Sequence, residues 1–299
     1  MSSIYSIKDL ERLSGIKAHT IRMWEQRYGV LKAVRTATNI RCYDDEDLKH
    51  LMSLALLNKR GHRISNLARL SAEELAGMVQ GLSESGSDYD KQVEALVIAT
   101  IDYDDAKFEK ILNTAILQIG FEETFKCIVF PFLEKIGVLW ISGTMMAAQE
   151  HFMTQLLRQK ILVAIDGHVR RETPQSKKFL LFLPNGEWHE LTLLFLSYLL
   201  KSRNHQVTYL GASVPLKEVL TVGETLKPDF FYTIITAVPT EYSVDDYLNT
   251  IADKFPKSTV YASGSQFINT PHSLRDNVMV MHGMQKVLEK VEELSARAA

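Results

Sequence analysis

The chain has 299 residues, of which 46% are hydrophobic and 23% are charged, and its formal net charge is −2. This composition indicates a globular protein of two or three domains and excludes a chain that is polycationic throughout. The two cysteines, the charged N-terminus and the absence of an uncharged apolar run of ~18 residues predict a cytoplasmic protein without a signal peptide, a transmembrane helix or a membrane partner.

The N-terminal segment differs in charge from the rest of the chain. Residues 1–43 hold eight Lys or Arg and three Asp or Glu, a local charge of +5. This excess predicts an anionic partner for the N-terminus.

Helical spacing predicts two short helices in this segment, with Ser6 capping the first and Gly15 in the turn between them. The second helix has one apolar face. Its other face carries His19, Arg22 and Gln26 at i, i+3 and i+7. Such a polar face fits the major groove of DNA, but a small helical hairpin with a solvated charged face has the same pattern.

The residues that follow resemble the MerR family of transcription regulators over about residues 4–75. The match rests on Arg22-Met23-Trp24-Glu25-Gln26-Arg27-Tyr28-Gly29 and on Arg41-Cys42-Tyr43 at the spacing of the family. The resemblance implies a winged helix-turn-helix with a recognition helix from about Ala18 and a wing over 32–43. The implied contacts to double-stranded DNA are Lys17, His19, Thr20, Arg22, Gln26, Arg27, Tyr28, Arg35, Asn39, Arg41 and Tyr43.

More helices complete this first domain, which we assign to residues 1–80. Gly61 is predicted to end the third helix, Ser65 to cap a fourth, and Ser71 with Glu74 to form a capping box for a fifth. The serine- and glycine-rich stretch over 81–90 is typical of a linker.

Residues 88–170 show helical spacing in four segments, which predicts a four-helix bundle. Pro131 should interrupt the third helix. Trp140 precedes a glycine-containing turn, and Glu150 and His151 follow on the next helix. Taken alone, these side chains are typical of packing residues at a helix junction.

From residue 177 to residue 299, strands alternate with helices, which predicts a doubly wound parallel sheet of Rossmann-like type. Ligands bind at the carboxyl ends of such strands. Glu187 and His189 follow the first strand, Thr236 lies near the end of the third, predicted over 230–238, and Ser263 and Gly264 end the fourth. No G-x-G-x-x-G motif follows the first strand, so a dinucleotide is not expected.

The bundle and sheet together resemble cobalamin-binding modules, and the whole chain resembles the CarH/LitR-type MerR regulators. The matching residues are Trp140 with Glu150-His151, and Glu187-x-His189. The resemblance implies that His189 ligates the cobalt of a cobalamin from below and that Glu187 orients it. It also implies that Trp140, Glu150 and His151 cover the upper face.

This chain departs from the motif at positions where small residues leave room for the nucleotide tail of the cofactor. They are Thr192, Thr236 and Ser263, the last followed by Gly264. Each added side chain intrudes on that space, at a typical cost of about 1–3 kcal/mol. Some light-sensing relatives carry a histidine directly after the cap tryptophan, where this chain has Ile141.

Three functional hypotheses follow. The first is a transcription regulator, a repressor in particular, that senses cobalamin, with light as a further signal, and that binds its operator as a dimer or tetramer. The second is the same regulator with a module that binds no cobalamin and acts in protein interaction or on another effector. The third is an enzyme such as a corrinoid methyl carrier. The basic helix-turn-helix argues against an enzyme, and we expect no catalytic residue.

Overall fold

The structure is a computed structural model. It describes residues 5–14, 16–31, 33–35, 41–81, 89–141, 143, 145–169, 176–239, 241–268 and 270–296. The chain divides into two compact units, Met1–Leu157 and Arg158–Ala299. The predicted domain boundaries within these units stay predictions. Across the described residues, no helix combines the length and apolar character that a membrane span requires.

The first unit opens with a small helical domain that includes three short antiparallel strands. Its elements are β1 (Tyr5–Ser6), α1 (Ile7–Ser14), α2 (Ala18–Tyr28), β2 (Val34–Arg35), β3 (Arg41–Tyr43), α3 (Asp45–Lys59), α4 (Ile64–Leu67) and α5 (Ala72–Gly81). The strands pair in the order β1-β3-β2. Helix α2 thus begins at Ala18, as predicted for the recognition helix, and β2 and β3 lie within the predicted wing, of which residues 32 and 36–40 fall outside the described residues. Strand β3 also pairs with β1.

Two capping predictions for this domain have different outcomes. Ser71 and Glu74 form the predicted box, since the Glu74 N–H donates to Ser71 Oγ at 3.1 Å and the Ser71 N–H donates to Glu74 Oε2 at 2.7 Å. The prediction that Ser65 caps the fourth helix is wrong, because α4 begins at Ile64 with Arg63 at the N-cap. Backbone bonds to the Arg63 carbonyl start this single turn without a side-chain cap.

Helices continue through the region predicted as a bundle. They are α6 (Asp90–Ile101), α7 (Asp105–Ile119), α8 (Phe121–Thr124), a π-turn (Phe125–Val129), α9 (Phe130–Ile141) and α10 (Ala147–Asp166). The π-helical turn interrupts the third predicted segment and ends two residues before Pro131, which has no N–H to continue the α-helical ladder. The predicted linker falls largely on residues 82–88, outside the described residues.

The second unit is a parallel sheet of five strands in the order β5-β4-β6-β7-β8. Its elements are β4 (Lys178–Pro184), α11 (Leu191–Ser202), β5 (Gln206–Val214), α12 (Leu216–Leu226), β6 (Phe230–Ile234), α13 (Val244–Lys254), β7 (Thr259–Ser263), β8 (Val278–Met281) and α14 (Gly283–Ala296). Helices α12 and α13 pack on one face of the sheet, and α11 and α14 pack on the other.

The third strand of this unit is shorter than predicted. It ends at Ile234, whereas the apolar run suggested Val238. The Ile235 N–H still donates to the Ser263 carbonyl at 2.7 Å, but the N–H groups of Thr236 and Ala237 turn to a buried carboxylate instead of a neighbouring strand.

Candidate functional site

The helix-turn-helix is held at both helix starts by carboxylates. At α1, the Ser6 N–H donates to Asp9 Oδ2 at 2.9 Å, and the Asp9 N–H donates to Ser6 Oγ at 3.3 Å. At α2 the N-cap residue is Lys17, which offers no side-chain acceptor. The Ala18 N–H donates instead to Glu11 Oε2 at 3.2 Å, and Lys17 Nζ lies 3.4 Å from Glu11 Oε1. An acid from α1 therefore takes the place of the missing cap.

The face of α2 that the sequence assigns to DNA is accessible. His19, Arg22 and Gln26 are exposed, while Ile21 and Trp24 on the opposite face are buried. The other predicted contacts of this helix are Arg27, which is exposed, and Thr20 and Tyr28, which are half-buried. The domain core thus fixes one side of α2 and leaves hydrogen-bonding side chains on the other.

The wing residues differ in whether they are available to DNA. Arg35 pairs with Arg41 across β2 and β3, and Arg41 Nε lies 3.3 Å from Glu25 Oε2. The Tyr43 hydroxyl donates to the same carboxylate oxygen at 3.4 Å, and Tyr43 is 1% exposed. Burial, with the negative charge of Glu25, raises the pKa of Tyr43 to about 12. Tyr43 therefore serves the core, and we leave it out of the proposed DNA contacts. Asn39 lies outside the described residues.

In the second unit, a tight turn after β4 positions Glu187. The Glu187 N–H donates to the Pro184 carbonyl at 2.9 Å, and Gly186 between them has a φ of 80°, a conformation that favours glycine. The Gly186 N–H also donates to Ser213 Oγ at 3.0 Å. The turn leaves the Glu187 side chain 3% exposed at the carboxyl end of the sheet.

Hydrogen-bond donors surround the Glu187 carboxylate. Oε1 accepts the N–H groups of Trp188 (3.1 Å) and His189 (3.2 Å), and Oε2 accepts those of Thr236 (2.8 Å) and Ala237 (3.1 Å). The Thr236 hydroxyl also donates to Oε2. Burial alone raises the pKa of this carboxyl, but the bonds from His189 and Thr236 outweigh it and lower the pKa to about 2. Glu187 is thus a buried, fixed anion.

The His189 ring lies against this anion. Its Nδ1 is 2.5 Å from Glu187 Oε1, and the side chain is 72% exposed. An ionised carboxylate only accepts hydrogen bonds, so the proton of the neutral ring is on Nδ1 and the lone pair is on Nε2, across the ring. This is the tautomer that a carboxylate-oriented metal ligand requires.

Thr236 has a different role from the one suggested by its departure from the motif. Its hydroxyl holds Glu187 and lies 3.1 Å from His189 Nδ1. Sequence reasoning missed the support behind it, since Ser265 Oγ and Gln266 Nε2 donate to the Thr236 carbonyl at 2.9 and 2.8 Å. The one available signal was that these polar residues follow the end of the fourth strand, at the same edge of the sheet.

The other departing positions lie beside this network. Thr192 is half-buried in the first turn of α11. Ser263 is 8% exposed and accepts the Tyr232 hydroxyl at 3.0 Å. Gly264 has a φ of 121°, and a Cβ there would lie 2.2 Å from the Ile235 carbonyl oxygen, so close backbone packing explains this glycine.

The layer between the sheet, α11 and α14 is lined mainly by apolar and aromatic side chains. It contains a cavity of about 10 Å³, no larger than one water molecule, lined by Phe179, Leu196, Leu200, Tyr232, Tyr261, Met281, Val287, Lys290, Val291 and Leu294. Tyr232 and Tyr261 are 4% and 3% exposed. Phe230 stacks on Tyr261 with ring centroids 5.5 Å apart. Three of the ten lining residues are thus aromatic, and two of them are buried tyrosines.

In the first unit, Trp140 packs against the hydrophobic core of the DNA-binding domain together with Val138 and Ile141. Ser53 Oγ of α3 donates to the Ile141 carbonyl at 3.3 Å. Trp140 therefore has the packing role that is typical of an indole at a helix junction, and Ile141 packs against the same core.

Glu150 and His151 lie in the first turns of α10, with His151 Nδ1 3.2 Å from Glu150 Oε2 and the His151 side chain 77% exposed.

These features define a class of protein that joins a winged helix-turn-helix to a cobalamin-binding type of module. Residues 5–74 match the family model described as MerR HTH family regulatory protein, and residues 92–164 match the one described as B12 binding domain. The chain therefore combines a MerR DNA-binding domain with a B12-binding domain, as a DNA-binding regulator does.

Particular relatives agree with this class. The HTH-type transcriptional repressor CarH of Myxococcus xanthus is 28% identical over 85% of this chain and 86% of its own length. The repressor CarA of the same organism is 25% identical over 75% of this chain and 73% of its own length. The monomethylamine corrinoid protein of Methanosarcina barkeri shares the fold, with a TM-score of 0.51 at 12% identity over 70% of this chain and 98% of that chain. The predicted resemblance and fold class are confirmed.

The residues fit one part of a cobalamin and not another. An exposed imidazole with its Nδ1 held by a buried anion suits an axial ligand of cobalt. The tyrosines packed beside α11 do not suit the nucleotide that hangs from the corrin ring, because the cavity of about 10 Å³ that they line cannot hold a bicyclic base.

Proposed function

We propose that the chain is a transcriptional repressor that binds a double-stranded DNA operator through α2 and the wing, and whose second unit binds a corrinoid effector through His189. The Glu187–His189 pair carries the second half of this proposal. The pair combines a buried anion with an exposed imidazole at the edge of the sheet where ligands of this fold bind.

On the DNA side, His19, Arg22 and Gln26 are the candidates to read base edges, because they are exposed on one face of α2. The cationic Arg27, Arg35 and Arg41, with Lys17, are candidates for phosphate contacts, which position the domain without reading sequence. Paired half-sites require two copies of the domain, so the repressor acts in the cytoplasm as a homodimer or a homotetramer.

On the corrinoid side, the protein supplies a fixed ligand. Glu187 holds the Nδ1 proton of His189, and the amides of Thr236 and Ala237 hold Glu187, so the imidazole has one tautomer and one orientation. A bound corrinoid would supply a cobalt ion with an open axial position to this imidazole. Glu150 and His151 remain the proposed residues for the opposite face of the corrinoid. Light is not part of the proposal, since Ile141 stands where a second histidine would be needed.

The proposed effector is a signal and not a substrate, because the similar proteins CarH and CarA are repressors. A second candidate function has one observation in its favour. The small cavity of about 10 Å³ beside α11 suits a module that has lost corrinoid binding and regulates through another effector or a protein partner.

Electron paramagnetic resonance tests the corrinoid proposal directly. The full chain, labelled with ¹⁵N-histidine, is mixed with cob(II)inamide or with cob(II)alamin. The proposal expects splitting from a ¹⁵N axial ligand with one of them or both, and its loss in His189→Ala. His282→Ala is the matched control, because His282 is also exposed and follows a strand of the same sheet at its carboxyl end. Absence of protein nitrogen ligation with both corrinoids would overturn the corrinoid half and favour the second candidate.

A further inference from the structure

A site that ligates cobalamin through a histidine must also accommodate the base that the histidine displaces from cobalt. In free cobalamin a base, tethered to the ring by a nucleotide loop, occupies the lower axial position. When a protein imidazole takes that position, the displaced base stays on the same side of the ring as the imidazole, because its tether is attached there. The protein must then provide a slot beside the histidine.

The structure shows what lies beside α11, the helix that follows His189. Helix α11 begins at Leu191, two residues after the histidine, and the layer next to it lies between α11, α14 and the sheet. Tyr232 extends into this layer from β6, and Tyr261 from β7. A cavity of about 10 Å³ in this layer, lined by Tyr232 and Tyr261 among others, holds no more than one water molecule.

The two tyrosine side chains are held in place. The Tyr232 hydroxyl donates to Ser263 Oγ at 3.0 Å inside the core, and displacement would leave both groups buried without that bond. Tyr261 stacks on Phe230, with centroids 5.5 Å apart, and Phe230 stacks on Phe179 at 4.8 Å. Inserting a base would therefore disrupt a packed aromatic layer as well as a buried hydrogen bond.

We infer that this module selects a corrinoid without the lower nucleotide, of the cobinamide class, over complete cobalamin. The inference rests on the proposed function, because it needs His189 to ligate cobalt. It assigns Tyr232 and Tyr261 as the residues that exclude the nucleotide.

The test compares two ligands on the full chain by titration of the visible absorption spectrum. Aquocobinamide and aquocobalamin share the corrin ring and differ in the nucleotide. We expect cobinamide to bind with a dissociation constant about 5- to 140-fold lower than that of cobalamin, since overpacking costs of the usual size correspond to ratios in this range. Comparable affinities, or tighter binding of cobalamin with its base displaced by His189, would overturn the inference.

Two variants test whether Tyr232 and Tyr261 cause the preference for cobinamide. Tyr232→Ala combined with Tyr261→Ala opens the layer and should bring the two dissociation constants together. Tyr232→Phe removes the hydroxyl but keeps the ring, so it should retain the preference for cobinamide. If the double variant fails to fold, as judged by circular dichroism, comparable affinities of the two ligands for the unmodified chain still overturn the inference.

The outcomes distinguish a failure of the selectivity from a failure of the proposed corrinoid binding. If neither corrinoid binds the unmodified chain, the proposed function fails and the inference fails with it. If both bind through His189 with equal affinity, the proposed function stands and only the selectivity is wrong.

Discussion

Replacing Glu187 by glutamine tests the claim that a buried anion organises the ligand edge of the sheet. In the folded chain the carboxyl is 3% exposed and has a pKa of about 2, against an ordinary value of 4.5. A change of one in pKa corresponds to about 1.4 kcal/mol, so the ionised form stabilises the folded second unit by about 3 kcal/mol relative to the protonated form.

The sign of the pH dependence follows from the direction of the shift. The folded pKa lies below the unfolded value, so the contribution is complete well above pH 4.5 and is lost as the pH falls through about 2. We therefore expect Glu187→Gln to lower the free energy of unfolding of the second unit by about 3 kcal/mol at pH 7 and by only about 1 kcal/mol at pH 3.

Pulse proteolysis across a urea gradient measures this free energy on the full chain, with thermolysin at pH 7 and pepsin at pH 3. Fragments from residues 158–299 are identified by mass, which separates the second unit from the first. Glu218→Gln, at an exposed position of α12, is the control and should change little at either pH. A loss that is the same at both pH values, or one below about 1 kcal/mol at pH 7, would refute the role given to the Glu187 charge.

Three further predictions concern other parts of the chain. Arg22→Ala should reduce discrimination between operator and random DNA by about 1–3 kcal/mol in fluorescence anisotropy, whereas Glu46→Ala on α3 should not. Trp140→Ala should destabilise the first unit by about 2 kcal/mol in urea unfolding, less than a fully buried tryptophan because the side chain is half-buried; no loss would show that the indole does not support the DNA-binding domain. Gly264→Ala places a Cβ 2.2 Å from the Ile235 carbonyl oxygen at a φ of 121°, and we expect little folded protein in circular dichroism; a normally stable variant would contradict this packing.

The sequence was most informative where structure is local. The exposed face of α2 and the box of Ser71 with Glu74 follow from helical spacing and capping chemistry within a few residues. The prediction for Ser65 was wrong because it assumed a side-chain cap at each helix start. Helix α4 is a single turn, and backbone hydrogen bonds to the Arg63 carbonyl start it.

The parts that could not be predicted depend on distant segments. Strand pairing of β6 stops after Ile235 because the N–H groups of Thr236 and Ala237 bind Glu187, which lies 49 residues from Thr236 in the chain. Gln266 supports Thr236 across 30 residues. Trp140 packs on the DNA-binding domain, a contact that no spacing within the bundle indicates.

The central claim is that a corrinoid held by His189 controls DNA binding. The direct measurement is the affinity of the full chain for its own promoter DNA, by gel shift at fixed salt, with and without cobinamide. The proposal predicts that cobinamide changes this affinity in the unmodified chain and in His282→Ala but leaves it unchanged in His189→Ala. An affinity that does not respond to the corrinoid in the unmodified chain, or that responds equally in His189→Ala, would contradict the account.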